Sequence, residues 1–346
     1  MLEFIEKYGL TISIVLIASY FGTQLKQGFG LEEDTSKKDY DLIKKYILND
    51  SPLYGFNRPK LWIHSKYEIN ARNWESFGSR NSKDLNQPYL SYTVKTIIDS
   101  CGDDFHICLI DDNSFEKLIP GFDLKLESIP EPLRSQYREV SMLQLLHLYG
   151  GIVIPNSFIC VKSLYNLYFN LTKQENAFVF EKQNEACDVR QGRRKDFVPN
   201  LNMIGARKSC PMIYSMIREL RDKLKSGHIS SEHKFVGKTE NLLMKYIAEE
   251  NLTVICGSLI GIKDTKNKPI ETEDLFSSNK DIKFSFDLYG ILLPSEDILK
   301  RSKFNWFVAL NEKDVLKADI NITKIINNVI NNPGEPSKEI KSISHL

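Results

Sequence analysis

Residues 134–161 constrain the fold of this chain more than any other segment. Apolar residues recur at helical spacing up to Gly150 and Gly151, which tolerate the positive φ at which many helices end. Residues 152–154 then form a β-branched run that is typical of a buried strand, and Pro155 ends it because proline has no backbone N–H. We therefore expect the residues after 154 at the carboxyl end of a sheet strand, where open α/β folds bind their ligands.

Strand and helix patterns alternate through the rest of the chain, which predicts an α/β fold. Short apolar or β-branched runs indicate strands, and stripes at helical spacing bounded by proline or glycine indicate helices. The predicted strands cover 61–64, 105–110, 177–181, 199–206, 253–256 and 289–293, and the main predicted helices cover 88–102, 211–224 and 294–300.

Residues 58–215 resemble sugar transferases of the capsular-polysaccharide-synthesis type and their relatives with an Asp-x-Asp motif. The family pattern resembles S-D-x-x-R-x-x-x-L-x-x-Y-G-G-x-x-x-D-x-D, and Leu146, Tyr149, Gly150 and Gly151 match it. The resemblance implies the type A fold of nucleotide-sugar transferases, a Rossmann-like, mixed and mostly parallel sheet flanked by helices. It also implies a nucleotide sugar or a glycan as ligand.

At the positions that carry the family's chemistry, this chain has different residues. Arg138 and Glu139 replace Ser-Asp, Met142 replaces the arginine, and Pro155 and Ser157 replace the two aspartates. In the family those aspartates hold a divalent cation against the diphosphate, since Mg²⁺ and Mn²⁺ prefer anionic oxygen ligands. We therefore expect a glycosyltransferase-like protein with a degenerate motif, no divalent metal, and weak or absent catalysis.

Three segments resemble uncharacterised membrane-anchored proteins of large eukaryotic DNA viruses. They are PKLWIH at 59–64, NARNWESFGSR at 70–80 and DLNQPYL at 84–90. This resemblance brings no function, but it makes a virion or viral membrane component an alternative, with virion proteins as partners.

Acidic residues follow one predicted strand at its carboxyl end. Asp111 and Asp112 come directly after residues 105–110, and with Glu139 they are the candidate catalytic groups. The alternative role of the pair is to cap a helix that begins near Ser114.

Basic residues in two loops are candidates for binding the phosphates of a nucleotide sugar. A cluster of cations can neutralise a diphosphate without a metal, although such a run is also typical of a solvated loop. The candidates are Arg72, Arg80, Arg190, Arg193, Arg194 and Lys195.

Residues 8–25 form an uncharged run of about 18 residues between Lys7 and Lys26, the lower end of what spans a bilayer. We interpret it as an uncleaved transmembrane anchor, and a buried or amphipathic helix is the alternative. The lysines that follow the run place the body in the cytosol. The predicted organisation is an anchor over 1–26, a stalk over 27–57, an α/β domain over 58–330 and a flexible tail over 331–346.

Composition excludes some classes of protein. The chain has 46 Lys and Arg against 45 Asp and Glu, so no net field favours nucleic acid. Its six cysteines have no metal-binding spacing, which favours free thiols in a reducing compartment.

Three functions fit the sequence: glycosyl transfer from a nucleotide sugar, a structural or scaffold role without chemistry, and binding of a carbohydrate or nucleotide without turnover. The fold alone does not choose among them.

Overall fold

The structure is a computed structural model that describes residues 58–65, 87–173, 177–184, 192, 195–225 and 232–332, without the side chains of 232–238. The chain divides into two compact units, Met1–Lys45 and Tyr46–Leu346, and every described residue belongs to the second unit. The predicted domain boundaries stay predictions.

The described residues form one six-stranded sheet and one two-stranded sheet. The order in the large sheet is β2-β1-β3-β6-β5-β7, and β4 pairs with β8 in the small one. The strands are β1 (Lys60–His64), β2 (His106–Ile110), β3 (Gly151–Pro155), β4 (Phe158–Cys160), β5 (Ala177–Glu181), β6 (Pro199–Ala206), β7 (Leu252–Ile255) and β8 (Gly290–Leu292).

The large sheet is mixed and mostly parallel. Strand β1 pairs in parallel with β2 and β3, and β5 pairs in parallel with β7, whereas β6 runs antiparallel to both β3 and β5. Strands β1, β3 and β5 therefore point the same way, and their carboxyl ends share one edge. This architecture confirms the predicted α/β class and is consistent with a Rossmann-like sheet.

Helices connect the strands and cover the sheet. They are α1 (Tyr89–Cys101), α2 (Ser114–Leu118), α3 (Leu133–Tyr149), α4 (Tyr165–Thr172), α5 (Pro211–Lys225), α6 (Glu232–Ala248), α7 (Thr272–Leu275), α8 (Ser295–Lys300), α9 (Asn305–Val308), α10 (Glu312–Val315) and α11 (Asn321–Asn331). Short 3-10 turns occur at Leu126–Ser128, Gly257–Ile260 and Ser302–Phe304.

The glycine pair between α3 and β3 adopts the conformation that the sequence predicts. Gly150 has φ +71°, and its N–H donates to the Leu146 carbonyl at 2.8 Å. Gly151 has φ +111°, and a Cβ there would lie only 2.0 Å from the Lys60 carbonyl oxygen of β1. Glycine is therefore needed for both the positive φ and the close approach of the two strands.

The main hydrophobic core lies between the large sheet and helices α3, α5 and α6. Trp62 of β1 is fully buried, and its indole N–H donates to the Gly150 carbonyl at 2.9 Å. Strand β3, with Ile152 fully buried, sits between β1 and β6 as the β-branched run predicts.

A second core lies beneath the small sheet. Residues of β4 and β8 pack with the aromatic side chains Phe304 and Phe307 and with the apolar face of α11. Helix α1 contacts the small sheet as well, since the Thr96 hydroxyl accepts the Cys160 N–H of β4 at 2.9 Å.

No helix within the described ranges is both long and apolar enough to cross a bilayer. This finding contradicts the transmembrane helix in the predicted fold class and the predicted single-pass membrane localisation, and both are withdrawn. The predicted anchor at 1–26 and the stalk at 27–57 lie outside the described residues.

Candidate functional site

A cleft of about 1310 Å³ opens at the carboxyl edge of the large sheet. His64 ends β1, Pro155 ends β3 and Lys182 directly follows β5, and all three residues line the cleft. The chain passes from β1 to β2 on one side and later to β3 on the other, so the strand order reverses between β1 and β3. A cleft at such a switch point is where open α/β sheets bind their ligands.

Asp112 organises an ion-pair network beside the floor of the cleft. Its Oδ1 lies 3.0 Å from His64 Nε2, and Arg138 donates to both carboxylate oxygens, from Nε at 2.7 Å and Nη2 at 2.6 Å. Arg138 also pairs with Glu131 at 3.1 Å. Burial raises the pKa of Asp112, but the bonds and charges of His64 and Arg138 outweigh burial and hold that pKa well below its usual range.

The predicted acidic candidates fall in different places. Asp111 accepts hydrogen bonds from the N–H (2.9 Å) and hydroxyl (2.6 Å) of Ser114 at the start of α2, which matches the alternative capping role. Neither Asp111 nor Asp112 is among the residues that line the cleft. Glu139 does line it, on the side formed by α3 together with Met142.

The positions of the family's aspartates do not fit a divalent cation. Pro155 has no side-chain ligand, and Ser157 is only 2% exposed, with its hydroxyl donating to the Leu293 carbonyl at 2.8 Å. Within the described ranges, no group of three or more His, Cys, Asp or Glu side chains is placed to hold a metal ion. Ser157 instead fastens the end of β8 to the loop after β3.

One of the predicted phosphate-binding residues can be placed. Lys195 lines the cleft, and its ammonium donates to Glu240 Oε2 at 2.6 Å. The other candidates, Arg72, Arg80, Arg190, Arg193 and Arg194, lie outside the described residues.

Two functional candidates are missing from the sequence-based set. Lys182 lines the cleft, and its Nζ lies 2.9 Å from Glu240 Oε1. Glu240 therefore forms ion pairs with both Lys182 and Lys195. Glu240 lies in α6, a helix that is not among the predicted ones, and its side chain is 13% exposed. The position of Lys182, directly after a predicted strand, is the signal that could have identified it.

A second ion pair lies on the same wall of the cleft. Lys263 pairs with Glu181 Oε1 and donates to the Asp196 carbonyl at 2.8 Å, while Glu181 Oε2 accepts the Gly257 N–H at 2.9 Å. Glu181 at the end of β5 therefore binds both Lys263 and the turn at Gly257–Ile260.

As far as the described residues define it, the cleft lining is polar but not cationic overall. Seven side-chain amides line it, namely Gln87, Asn156, Gln183, Asn184, Asn200, Asn202 and Asn267. Its charged lining comprises eight acidic side chains (Glu131, Glu139, Glu181, Asp196, Glu271, Glu273, Glu296 and Asp297) against six Lys or Arg (Arg138, Lys182, Lys195, Lys263, Lys300 and Arg301). Any affinity for phosphate must therefore come from a local group of cations.

The fold and cleft define a mixed α/β protein with a large cleft at a strand-order switch point. No protein-family profile matches the chain, and no curated protein matches it. A solved structure described as "PaToxG Glycosyltransferase" is similar with a TM-score of 0.31 and 11% identity, over 62% of this chain and 78% of that one.

Proposed function

We propose that this chain is a glycosyltransferase-like protein that binds a nucleotide sugar in the cleft, without a divalent cation at Pro155 and Ser157. The location of the cleft carries the proposal. His64 and Pro155 are register partners at the carboxyl ends of the parallel strands β1 and β3, on either side of the switch point. Nucleotides bind at this place in open α/β sheets.

The size and lining of the cleft support the same ligand. Its volume of about 1310 Å³ exceeds the roughly 300–1,000 Å³ of an ordinary small-molecule site. The cleft therefore has room for a ligand as large as a nucleotide sugar. The amides and carboxylates of the lining supply both donors and acceptors, which suits a ligand with many hydroxyl groups.

The chemistry of the site differs from that of a metal-dependent transferase. A bound divalent cation supplies several kcal/mol of transition-state stabilisation, and nothing at Pro155 or Ser157 replaces its ligands. We therefore expect little or no metal-dependent transfer, and we expect ligand binding to depend on the chain's own side chains.

A role in binding or scaffolding without turnover is the second candidate. It is favoured by the engagement of Asp112 with His64 and Arg138, since both oxygens of that carboxylate are used within the protein. Under this alternative the network stabilises the fold and takes no part in proton transfer.

Thermal-shift measurements with a panel of nucleotide sugars test the proposal. We expect at least one nucleotide sugar to raise the melting temperature in the presence of EDTA, because binding to the native state stabilises it. Asn202 is exposed and lines the cleft, whereas Asn170 of α4 is exposed and does not. Asn202→Trp should therefore abolish the shift and Asn170→Trp should keep it. Absence of any shift across the panel would contradict donor binding.

A further inference from the structure

Lys182 and Lys195 share one carboxylate at the wall of the cleft. Their ammonium nitrogens lie 2.9 Å and 2.6 Å from the two oxygens of Glu240. In the part of the chain that the structure describes, Glu240 is the only acceptor that both ammonium groups contact. Each ammonium has three N–H donors, so the group keeps one net positive charge and several donors for a further anion.

The backbone holds the two lysines next to each other. Lys182 directly follows β5 and its N–H donates to the Val198 carbonyl at 2.8 Å, which extends the pairing of β5 with β6. The Asn184 amide donates to the Lys195 carbonyl at 2.8 Å and accepts the Lys195 N–H at 2.9 Å. These bonds place both lysines at the carboxyl edge of the sheet.

The other lysine on this wall is not available to a ligand in the same way. Lys263 is paired with Glu181, a carboxylate that is itself 3% exposed and bonded to a backbone N–H. Among the described residues of this wall, the local excess of positive charge therefore lies on Lys182 and Lys195.

We propose that Lys182 and Lys195 form a metal-free subsite for the diphosphate group of a nucleotide ligand, and that Glu240 limits its affinity. The proposal rests on the proposed function and deepens it, because it names the part of the ligand that this wall binds. Charge-assisted hydrogen bonds from two lysines to phosphate oxygens replace the bridging role of a metal ion.

Glu240 provides the sharpest prediction. Burial raises the pKa of Glu240, but Lys195 and Lys182 outweigh burial and lower it, so the carboxylate is charged near neutral pH. Glu240→Gln removes one negative charge while keeping the shape of the side chain. The variant should therefore bind a diphosphate more tightly than the wild type, although it lacks a native ion pair.

Isothermal titration of the full chain with inorganic pyrophosphate, in EDTA and low salt, tests the subsite. Lys182→Ala and Lys195→Ala should each weaken binding about tenfold, the effect of losing one charge-assisted hydrogen bond of about 1.5 kcal/mol. Glu240→Gln should strengthen it. Lys300→Ala is the matched control, because Lys300 also lines the cleft but pairs with Glu296, and its affinity should stay within about twofold of the wild type.

Parallel titrations with uridine and UDP-glucose separate this inference from the proposed function. Pyrophosphate binding that is lost in the two lysine variants supports the subsite even where neither UDP-glucose nor any nucleotide sugar of the thermal-shift panel binds, and that combination would reject the nucleotide-sugar proposal alone. The subsite is rejected where pyrophosphate does not bind the wild type, or where Lys182→Ala and Lys195→Ala bind it as Lys300→Ala does. Uridine has no phosphate, so none of these substitutions should change its affinity.

Discussion

Arg138 and Asp112 form a two-bond ion pair that joins α3 to the carboxyl end of β2, with distances of 2.7 and 2.6 Å. The arginine side chain is 9% exposed and the aspartate 17% exposed. Arg138 stands at the serine position of the family pattern that residues 58–215 resemble. This residue departs from the pattern, and in this chain it has a structural partner in Asp112. His64, which lines the cleft, contacts the same carboxylate.

Asp112→Asn should destabilise the fold by about 3 kcal/mol, because it removes the carboxylate that accepts two bonds from the buried Arg138 and leaves Glu131 as its remaining acidic contact among those described above. Urea denaturation at neutral pH measures the change in free energy of unfolding. Glu116→Gln, at an exposed position of α2, is the control and should change that free energy by less than about 0.5 kcal/mol. Equal stability of the two variants would show that the pair contributes nothing.

The Asp112 pair also predicts a pH dependence. The folded-state pKa is lowered, so the stabilisation is fully present above the unfolded pKa of about 4 and is lost as the pH falls through the folded pKa. The difference in unfolding free energy between wild type and Asp112→Asn should therefore shrink as the pH falls below about 4. A difference that stays the same or grows below about pH 4 would contradict the assignment.

Gly151→Ala should cost about 3 kcal/mol or more, because it combines a φ of +111° with a Cβ placed 2.0 Å from the Lys60 carbonyl oxygen. Gly121→Ala is a matched control with φ +71° and open space around the added Cβ. It should cost only about 1 kcal/mol, from the backbone conformation alone. Similar losses in the two variants, measured by thermal or urea unfolding, would show that the approach of β3 to β1 is not tight.

Much of the fold could be predicted from local sequence. The helix that ends at Gly150, the strand at 152–154 and the strand at 177–181 all have short-range signals, and the structure contains each of them. Helix α6 was missed because Gly237 and a polar first half weaken its apolar periodicity. The membrane-spanning helix was predicted from hydropathy. That prediction is contradicted, because no helix among the described residues is long and apolar enough to cross a bilayer.

The candidate site could be predicted only where its residues adjoin a strand end. Asp112 could be assigned to the carboxyl edge because it follows β2, but its pairing with Arg138 joins residues 26 positions apart. The contact between Lys182 and Glu240 depends on how α6 packs against the sheet, which no local pattern encodes. Long-range ion pairs are set by tertiary packing, and a single sequence does not specify them.

Restoring the family's aspartates should not restore transfer. Ser157→Asp should be destabilising by about 2–4 kcal/mol, because it removes the bond to the Leu293 carbonyl and places a carboxylate at a position that is 2% exposed. Pro155→Asp, at a partly exposed position, should cost less. Denaturation measures both effects, and a Pro155→Asp/Ser157→Asp protein that is stable and shows Mn²⁺-dependent transfer would contradict our account of these positions.

Metal dependence of donor binding tests the central claim most directly. The dissociation constant of a nucleotide sugar that gives a thermal shift should be measured by isothermal titration in Mn²⁺ and in EDTA. We predict the same value within about twofold, since the residues at Pro155 and Ser157 supply no anionic ligands. Binding that is at least about tenfold tighter in Mn²⁺, a difference of about 1.4 kcal/mol, would contradict a metal-free site.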